Sequence, residues 1–305
     1  MAQSHLKIGA FVAIAFVLYG CPDGDPGLDA EPDSSGDDAT MMVSDAGGED
    51  SAVEVSDPWD GALDAATPDV GAPDAATPDG GEMDSPGVPA IPESVLFVGN
   101  SFTFWMDGLD THLPALRASS DHMGPFTADS VVRGGASLEV MWEQTNARRR
   151  IANGGFDVVV LQEDIPETDV ESFFTYARLF VEAVRAAGAR PVLYMTWSYE
   201  RLGWISMEEI AEAHAAIAAE LEVEVAPAGL AWQRAAAARP ALSMYDEDDE
   251  HPSVHGVYLN TCVIYARLFG QSPVGLGYRP AQAGGVNDMD AFFLQNIAWE
   301  TVTAD

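Results

Sequence analysis

Five short runs of apolar or β-branched residues, separated by longer stretches with helical spacing, constrain the fold of residues 94–305 more than any other feature. The runs Val95–Val98, Ala128–Val132, Asp157–Leu161, Pro191–Thr196 and Val223–Ala226 are predicted as strands. Between and after them, Leu138–Ile151, Val170–Ala187, Met207–Leu221, Ser253–Phe269 and about 288–301 carry the periodicity and residue types of helices. Strands alternating with helices of this length predict βαβ units. The expected fold is a three-layer α/β/α sandwich around a parallel sheet of about five strands, and 212 residues suffice for its core.

The rest of the chain is of another kind. Of the 49 acids in a chain of net charge −35, 20 lie in residues 22–93, which contain no Lys or Arg; residues 94–305 hold 29 acids against 13 Arg. Residues 22–93 are mostly Asp, Ala, Gly, Pro and Ser, and Asp64-Ala-Ala-Thr-Pro-Asp69 returns as Asp74-Ala-Ala-Thr-Pro-Asp79. Such a segment cannot bury enough apolar surface to offset chain entropy, and its acids repel one another, so an extended disordered tether is expected. A calcium-binding array is the alternative, but the regular ligand-and-glycine spacing of such loops is missing. Acidity throughout argues against a nucleic-acid partner, which would require clustered Lys and Arg.

The first 21 residues carry no acid. Lys7 precedes a 12-residue apolar run, Ile8–Tyr19, which is short of the ~20 residues of a membrane-spanning helix and has the layout of a secretion signal. Leu18-Tyr19-Gly20-Cys21 resembles a bacterial lipobox, although Tyr19 is bulky for it. The resemblance implies a lipid on Cys21, anchoring to a membrane and a place in the cell envelope; an ordinary cleaved signal or a retained anchor is the alternative. The other cysteine, Cys262, lies in an apolar helical run and is expected to be a buried, unreactive thiol.

Two motifs 150 positions apart carry the chemistry. Val95-Leu-Phe-Val-Gly-Asn-Ser101-Phe-Thr103 puts a hydroxyl just past a strand, and Asp248-Asp-Glu-His251-Pro-Ser253 puts a carboxylate three residues before an imidazole. A serine hydroxyl is a poor nucleophile at neutral pH unless an imidazole takes its proton and a carboxylate orients the imidazole. Alone, Ser101 could equally be a helix N-cap. Asp246 and Asp249 are substitutes for Asp248. His255 competes with His251, but the residue three before it is Pro252, which cannot orient an imidazole.

Gly99-Asn-Ser-Phe102, the Gly134-Gly-Ala-Ser137 turn after the second strand, Val160-Leu-Gln-Glu163 after the third, and Asp248-x-x-His251 together resemble the SGNH (GDSL-type) hydrolases over nearly all of residues 94–305. The resemblance implies a flavodoxin-like fold and ester hydrolysis through an acyl-serine, with no metal or organic cofactor. It implies Ser101 as nucleophile, His251 as general base and then acid, and Asp248 as the residue fixing its tautomer. It also implies an oxyanion hole from the N–H groups of Ser101 and Gly135. The family's third donor is an Asn after the third strand; here Gln162 stands in its place, either as donor or as a structural residue at the strand end.

Asn100 and Trp197 are further candidates for substrate contact, Trp197 by stacking on a sugar, with core packing as its alternative. Arg148-Arg149-Arg150 is assigned no role beyond complementing a helix end. The expected substrate is a small-molecule or glycan ester, an acylated carbohydrate or cell-envelope component and a lipid or short-chain ester fitting about equally, and the expected state is a monomer. A surface carbohydrate-binding module that kept the fold without turnover is the rival function. A metal hydrolase built on the acidic loop is a weaker rival, because the six His are scattered.

Overall fold

A computed structural model describes residues 91–304 except 122, 123 and 283. Five strands, β1 (Ser94–Gly99), β2 (Thr127–Val132), β3 (Val158–Gln162), β4 (Arg190–Met195) and β5 (Glu224–Pro227), form one sheet in the order β2-β1-β3-β4-β5 with every pairing parallel. The apolar runs explain the order. In β1, β3 and β4 nearly every residue is buried, as a strand covered on both faces demands, whereas β2 is largely half-exposed at the edge.

Nine α-helices cover the sheet among the described residues: α1 (Ser101–Phe104), α2 (Leu109–Ala118), α3 (Leu138–Gln144), α4 (Ala147–Ala152), α5 (Val170–Ala186), α6 (Met207–Leu221), α7 (Ala228–Ala238), α8 (Val254–Phe269) and α9 (Asp288–Thr303). Helices α2, α7, α8 and α9 pack in one layer, while α5 packs against α3, α4 and α6 in the other. Right-handed crossovers place α2 opposite α3–α6, because the connection from β1 to β2 runs opposite to those from β2 to β5; α7, α8 and α9 follow the last strand and join the layer of α2.

The helix predicted over 138–151 is broken at Thr145 and Asn146. Thr145 is extended (φ −121°, ψ −179°), and its hydroxyl bonds the Met141 carbonyl at 2.5 Å and accepts from Ala147 N–H at 3.1 Å, replacing the backbone bonds lost there. Two helices carry no prediction. Helix α2 holds Pro114 in its interior, and α7 follows directly on Pro227 with a side-chain set dominated by alanine. Proline argues against a helix interior, and a run of alanine favours helix but marks no buried face; α2 packs on α8, and α7 on α8 and α9.

In a sheet of this order the chain reverses direction between β1 and β3. Loops leaving the carboxyl ends of those two strands diverge to opposite faces and open a crevice. Ser101 leaves β1 at that point, and Glu163 and Asp164 leave β3. The lipidation candidate Cys21 and residues 22–90 of the tether lie outside the described residues; of the last three, Glu93 gives its N–H to the Asp157 carboxylate at 2.7 Å.

Candidate active site

Ser101 is the first residue of α1, and Asn100 before it caps the helix by accepting from Phe102 N–H at 3.0 Å. The cap turns the chain sharply at the end of β1 and leaves the Ser101 hydroxyl partly exposed above the sheet edge. His251 reaches this hydroxyl from the loop before α8, with Nε2 at 2.8 Å from Ser101 Oγ.

The three-residue spacing from Asp248 to His251 acquires a mechanical meaning here. One oxygen of Asp248 accepts the backbone N–H groups of Glu250 (3.0 Å) and His251 (2.8 Å), closing the loop on itself. The other lies 2.7 Å from His251 Nδ1. Burial pushes the Asp248 carboxyl up, but these backbone and imidazole bonds outweigh it and hold it below the usual carboxylate value. A carboxylate only accepts, so Nδ1 donates and Nε2 is left to accept the Ser101 proton. Asp249 has φ +59°, and Asp246 gives its N–H to the His251 carbonyl at 2.8 Å; both shape the loop, and neither carboxylate is the imidazole's partner. His255 sits on α8 with Nε2 3.5 Å from Asp290.

Two backbone donors sit at neighbouring strand ends. Val132 pairs with Gly99 in the sheet and Arg133 N–H bonds the Gly99 carbonyl at 3.1 Å, so the turn carrying Gly135 leaves beside the turn carrying Ser101. Gly135 has φ +63°, which a side chain would resist. Among the described residues no protein acceptor takes the N–H of either Ser101 or Gly135. The Gly135 turn is tied across the crevice: the Glu163 carboxylate accepts Leu138 N–H at 3.1 Å and Asp164 N–H at 2.7 Å.

Gln162 is not presented to this centre. It is fully buried; its carbonyl accepts Asn100 N–H at 2.7 Å and the Thr103 hydroxyl at 3.1 Å, while its amide donates to the Glu163 carbonyl at 3.1 Å. This geometry corresponds to the structural alternative, a side chain holding the turn before Ser101 from below. Gln162→Leu should therefore cost stability, about 1–3 kcal/mol for a buried N–H left unpaired, measurable by chemical denaturation. An unchanged unfolding midpoint would remove Gln162 from that role.

Asn100 and Trp197 are likewise not open to a substrate. Asn100 is fully buried, capping α1 and donating to Asp164 at 2.9 Å. Trp197 is 1% exposed, stacked on Trp232 (centroids 3.7 Å, 7°), and donates to the Glu250 carbonyl at 2.9 Å. It is core packing that also braces the loop carrying His251. The exposed indole at this edge belongs to Trp204, 66% exposed and pinned by its N–H to the Pro166 carbonyl at 2.8 Å. Its loop carries Arg201, which pairs with Glu167 and with Glu250 of the His251 loop. Trp204 has no sequence signature, since burial alone separates it from Trp197.

Glu163 and Asp164 form a buried acidic pair behind the site. Burial pushes Glu163 up to about 7 against the N–H bonds from Asp164 and Leu138, and Asp164 up to about 6 against bonds from Tyr199 and Asn100. Cys262 is a buried free thiol that burial pushes up, away from reactivity. A cavity of about 470 Å³ lies beyond Trp197, walled by Trp232, Met207, Met244 and Tyr245. None of Ser101, Asp248 and His251 lines it, so hydrogen bonding rather than concavity locates the chemistry.

No protein-family model matches the chain, and no curated protein matches it. Solved structures do. A DUF4886 family protein from Bacteroides uniformis aligns at TM-score 0.54 and 16% identity, covering 69% of this chain and 94% of that one. The lipase/acylhydrolase from Enterococcus faecalis aligns at TM-score 0.50 and 15% identity, covering 63% and 100%. A Slackia heliotrinireducens protein described provisionally as an SGNH hydrolase is 28% identical over 56% of this chain and 96% of its own, at TM-score 0.47. The first two likenesses establish the fold: a three-layer α/β/α sandwich on a five-stranded parallel sheet.

Proposed function

We propose that residues 94–305 form a serine hydrolase that cleaves carboxylic esters through an acyl-serine intermediate. The observation that carries this is the unbroken chain from Asp248 through both nitrogens of His251 to a partly exposed Ser101 hydroxyl. In the first half-reaction Ser101 Oγ attacks the ester carbonyl carbon while its proton passes to His251 Nε2. The N–H groups of Ser101 and Gly135 are the donors available to the developing oxyanion. Collapse breaks the bond to the alcohol, which leaves with the proton from Nε2. A water repeats the sequence on the acyl-serine, releasing the carboxylic acid and restoring Ser101.

The test is to treat the domain with a fluorophosphonate and map the adduct. Attack on phosphorus expels fluoride, and a tag on Ser101 marks an activated serine. Folded protein without a tag would favour the rival, a carbohydrate-binding module that retains the fold.

The substrate class this reading favours is an O-acyl group on a carbohydrate or cell-envelope component. Trp204 supports it, as a flat apolar face held rigidly at the carboxyl edge of the sheet, where substrates of open α/β folds bind. We further propose that Cys21 carries lipid and tethers the domain to a membrane at the cell envelope, on the strength of the short apolar run ending at Gly20-Cys21. Metabolic labelling with a palmitate analogue should tag the wild-type chain and not Cys21→Ala; equal labelling of both would refute the anchor.

A further inference from the structure

The proposed hydrolysis protonates His251 in each half-reaction, and two aromatic rings lie against the imidazole where that charge would appear: Phe102, tilted at 59° with centroids 5.4 Å away, and Trp105, stacked on it. We propose that Trp105 is a positioning residue for His251, held over the imidazole by a turn that His112 locks; this rests on the serine-hydrolase reading. The indole stacks on the imidazole with centroids 3.9 Å apart and planes at 21°. Rotation of the imidazole about its bond to Cβ would break its bonds to both Asp248 and Ser101, and a stacked ring opposes that rotation. The electron-rich indole face also attracts an imidazolium more than a neutral imidazole, so its effect is larger in the transition state than in the resting enzyme.

The turn that carries Trp105 is strained. Met106 (φ +48°, ψ +59°), Asp107 (φ +76°) and Gly108 (φ +77°) are three successive left-handed residues, two of them not glycine. Such backbone persists only where its surroundings over-determine it. Here His112 Nε2 lies 2.6 Å from the Met106 carbonyl, and Gln282 donates to that carbonyl at 3.1 Å and to the Asp107 carboxylate at 2.5 Å. A carbonyl only accepts, so His112 Nε2 carries the proton and Nδ1 accepts from the Tyr278 hydroxyl at 2.7 Å. Burial lowers the His112 pKa, against the Met106 carbonyl and the nearby Asp107 and Asp110, which favours the neutral tautomer this arrangement needs. The Trp105 indole N–H is buried without a partner among the described residues, so none of them places the ring by a hydrogen bond to it. The turn and the stack place it.

The experiment compares Trp105→Phe, Trp105→Leu and His112→Phe with wild type, reading kcat and KM on p-nitrophenyl acetate and the rate of Ser101 phosphonylation. Trp105→Leu keeps an apolar side chain, smaller than the indole and without a π face, and should lower kcat and the phosphonylation rate about tenfold, with KM within about twofold. Trp105→Phe should restore most of the rate. His112→Phe, which leaves the indole but removes its support, should reproduce the loss and carries the test alone if Trp105→Leu does not fold. Wild-type rates in the folded Leu or His112 variant would overturn the inference. Failure of wild-type Ser101 to label would instead overturn the serine-hydrolase reading.

Discussion

Ser101→Ala is expected to lower ester turnover by about 10⁴-fold or more while leaving the fold intact. The size follows from what the substitution removes. The proposed oxyanion donors are backbone groups and remain, but no atom is left to form the proposed acyl intermediate, and His251 is left without a serine proton to take. The fold should survive because Ser101 is partly exposed and its hydroxyl bonds only His251 among the described residues, while α1 is capped by Asn100 rather than by Ser101. Turnover of p-nitrophenyl acetate, with thermal melting as the fold control, checks both parts. A rate within tenfold of wild type in a correctly melting protein would mean that another group is the nucleophile.

The second large effect is a pH dependence of stability arising from Glu163. Glu163 is 1% exposed, and burial pushes its carboxyl from an ordinary 4.5 up to about 7. The folded state therefore holds the proton more tightly than the unfolded chain. Stability from this group is fully present below about pH 4.5 and is lost as the pH rises through about 7. At ~1.4 kcal/mol per pH unit, the loss between pH 5 and 8 is on the order of 2–3 kcal/mol. Asp164, pushed by burial from 3.8 to about 6, acts in the same direction over a lower window.

Surface carboxylates also titrate, so the informative quantity is a difference. The stability of wild type relative to Glu163→Gln, from urea denaturation at pH 5 and pH 8, should fall by that amount. Gln at this position can offer only one acceptor to the Leu138 and Asp164 N–H groups, so the variant carries a constant penalty that cancels in the comparison. A gap that does not change with pH would mean that Glu163 stays charged throughout the range.

The residues proposed for proton transfer were legible in the sequence because each belongs to a short-range pattern. Ser101 follows an apolar strand by two residues, and Asp248 stands three before His251, the spacing at which one carboxylate can close its own loop and still reach the imidazole. Strand positions were legible for the same reason: the buried runs of β1, β3 and β4 are continuous apolar segments. The fold departs from these readings in two ways: Thr145 ends α3 locally, through its own hydroxyl, whereas α2 and α7 form where the chain packs on other helices, α2 on α8 and α7 on α8 and α9.

The same division runs through the site. The sequence alone determined an alternating α/β chain with a parallel sheet, an acidic N-terminal segment, and a serine and an Asp-x-x-His pair at loops that such a sheet brings to one edge. Periodicity and spacing of a few residues encode these features. Tertiary structure alone decided that the Gln162 carbonyl faces the turn before Ser101, that Trp197 is walled in while Trp204 is open, and that Trp105 lies on His251. Those outcomes depend on side-chain direction and burial, which are set by contacts between segments as much as 176 residues apart, as between Gln282 and Met106. No local pattern carries that information.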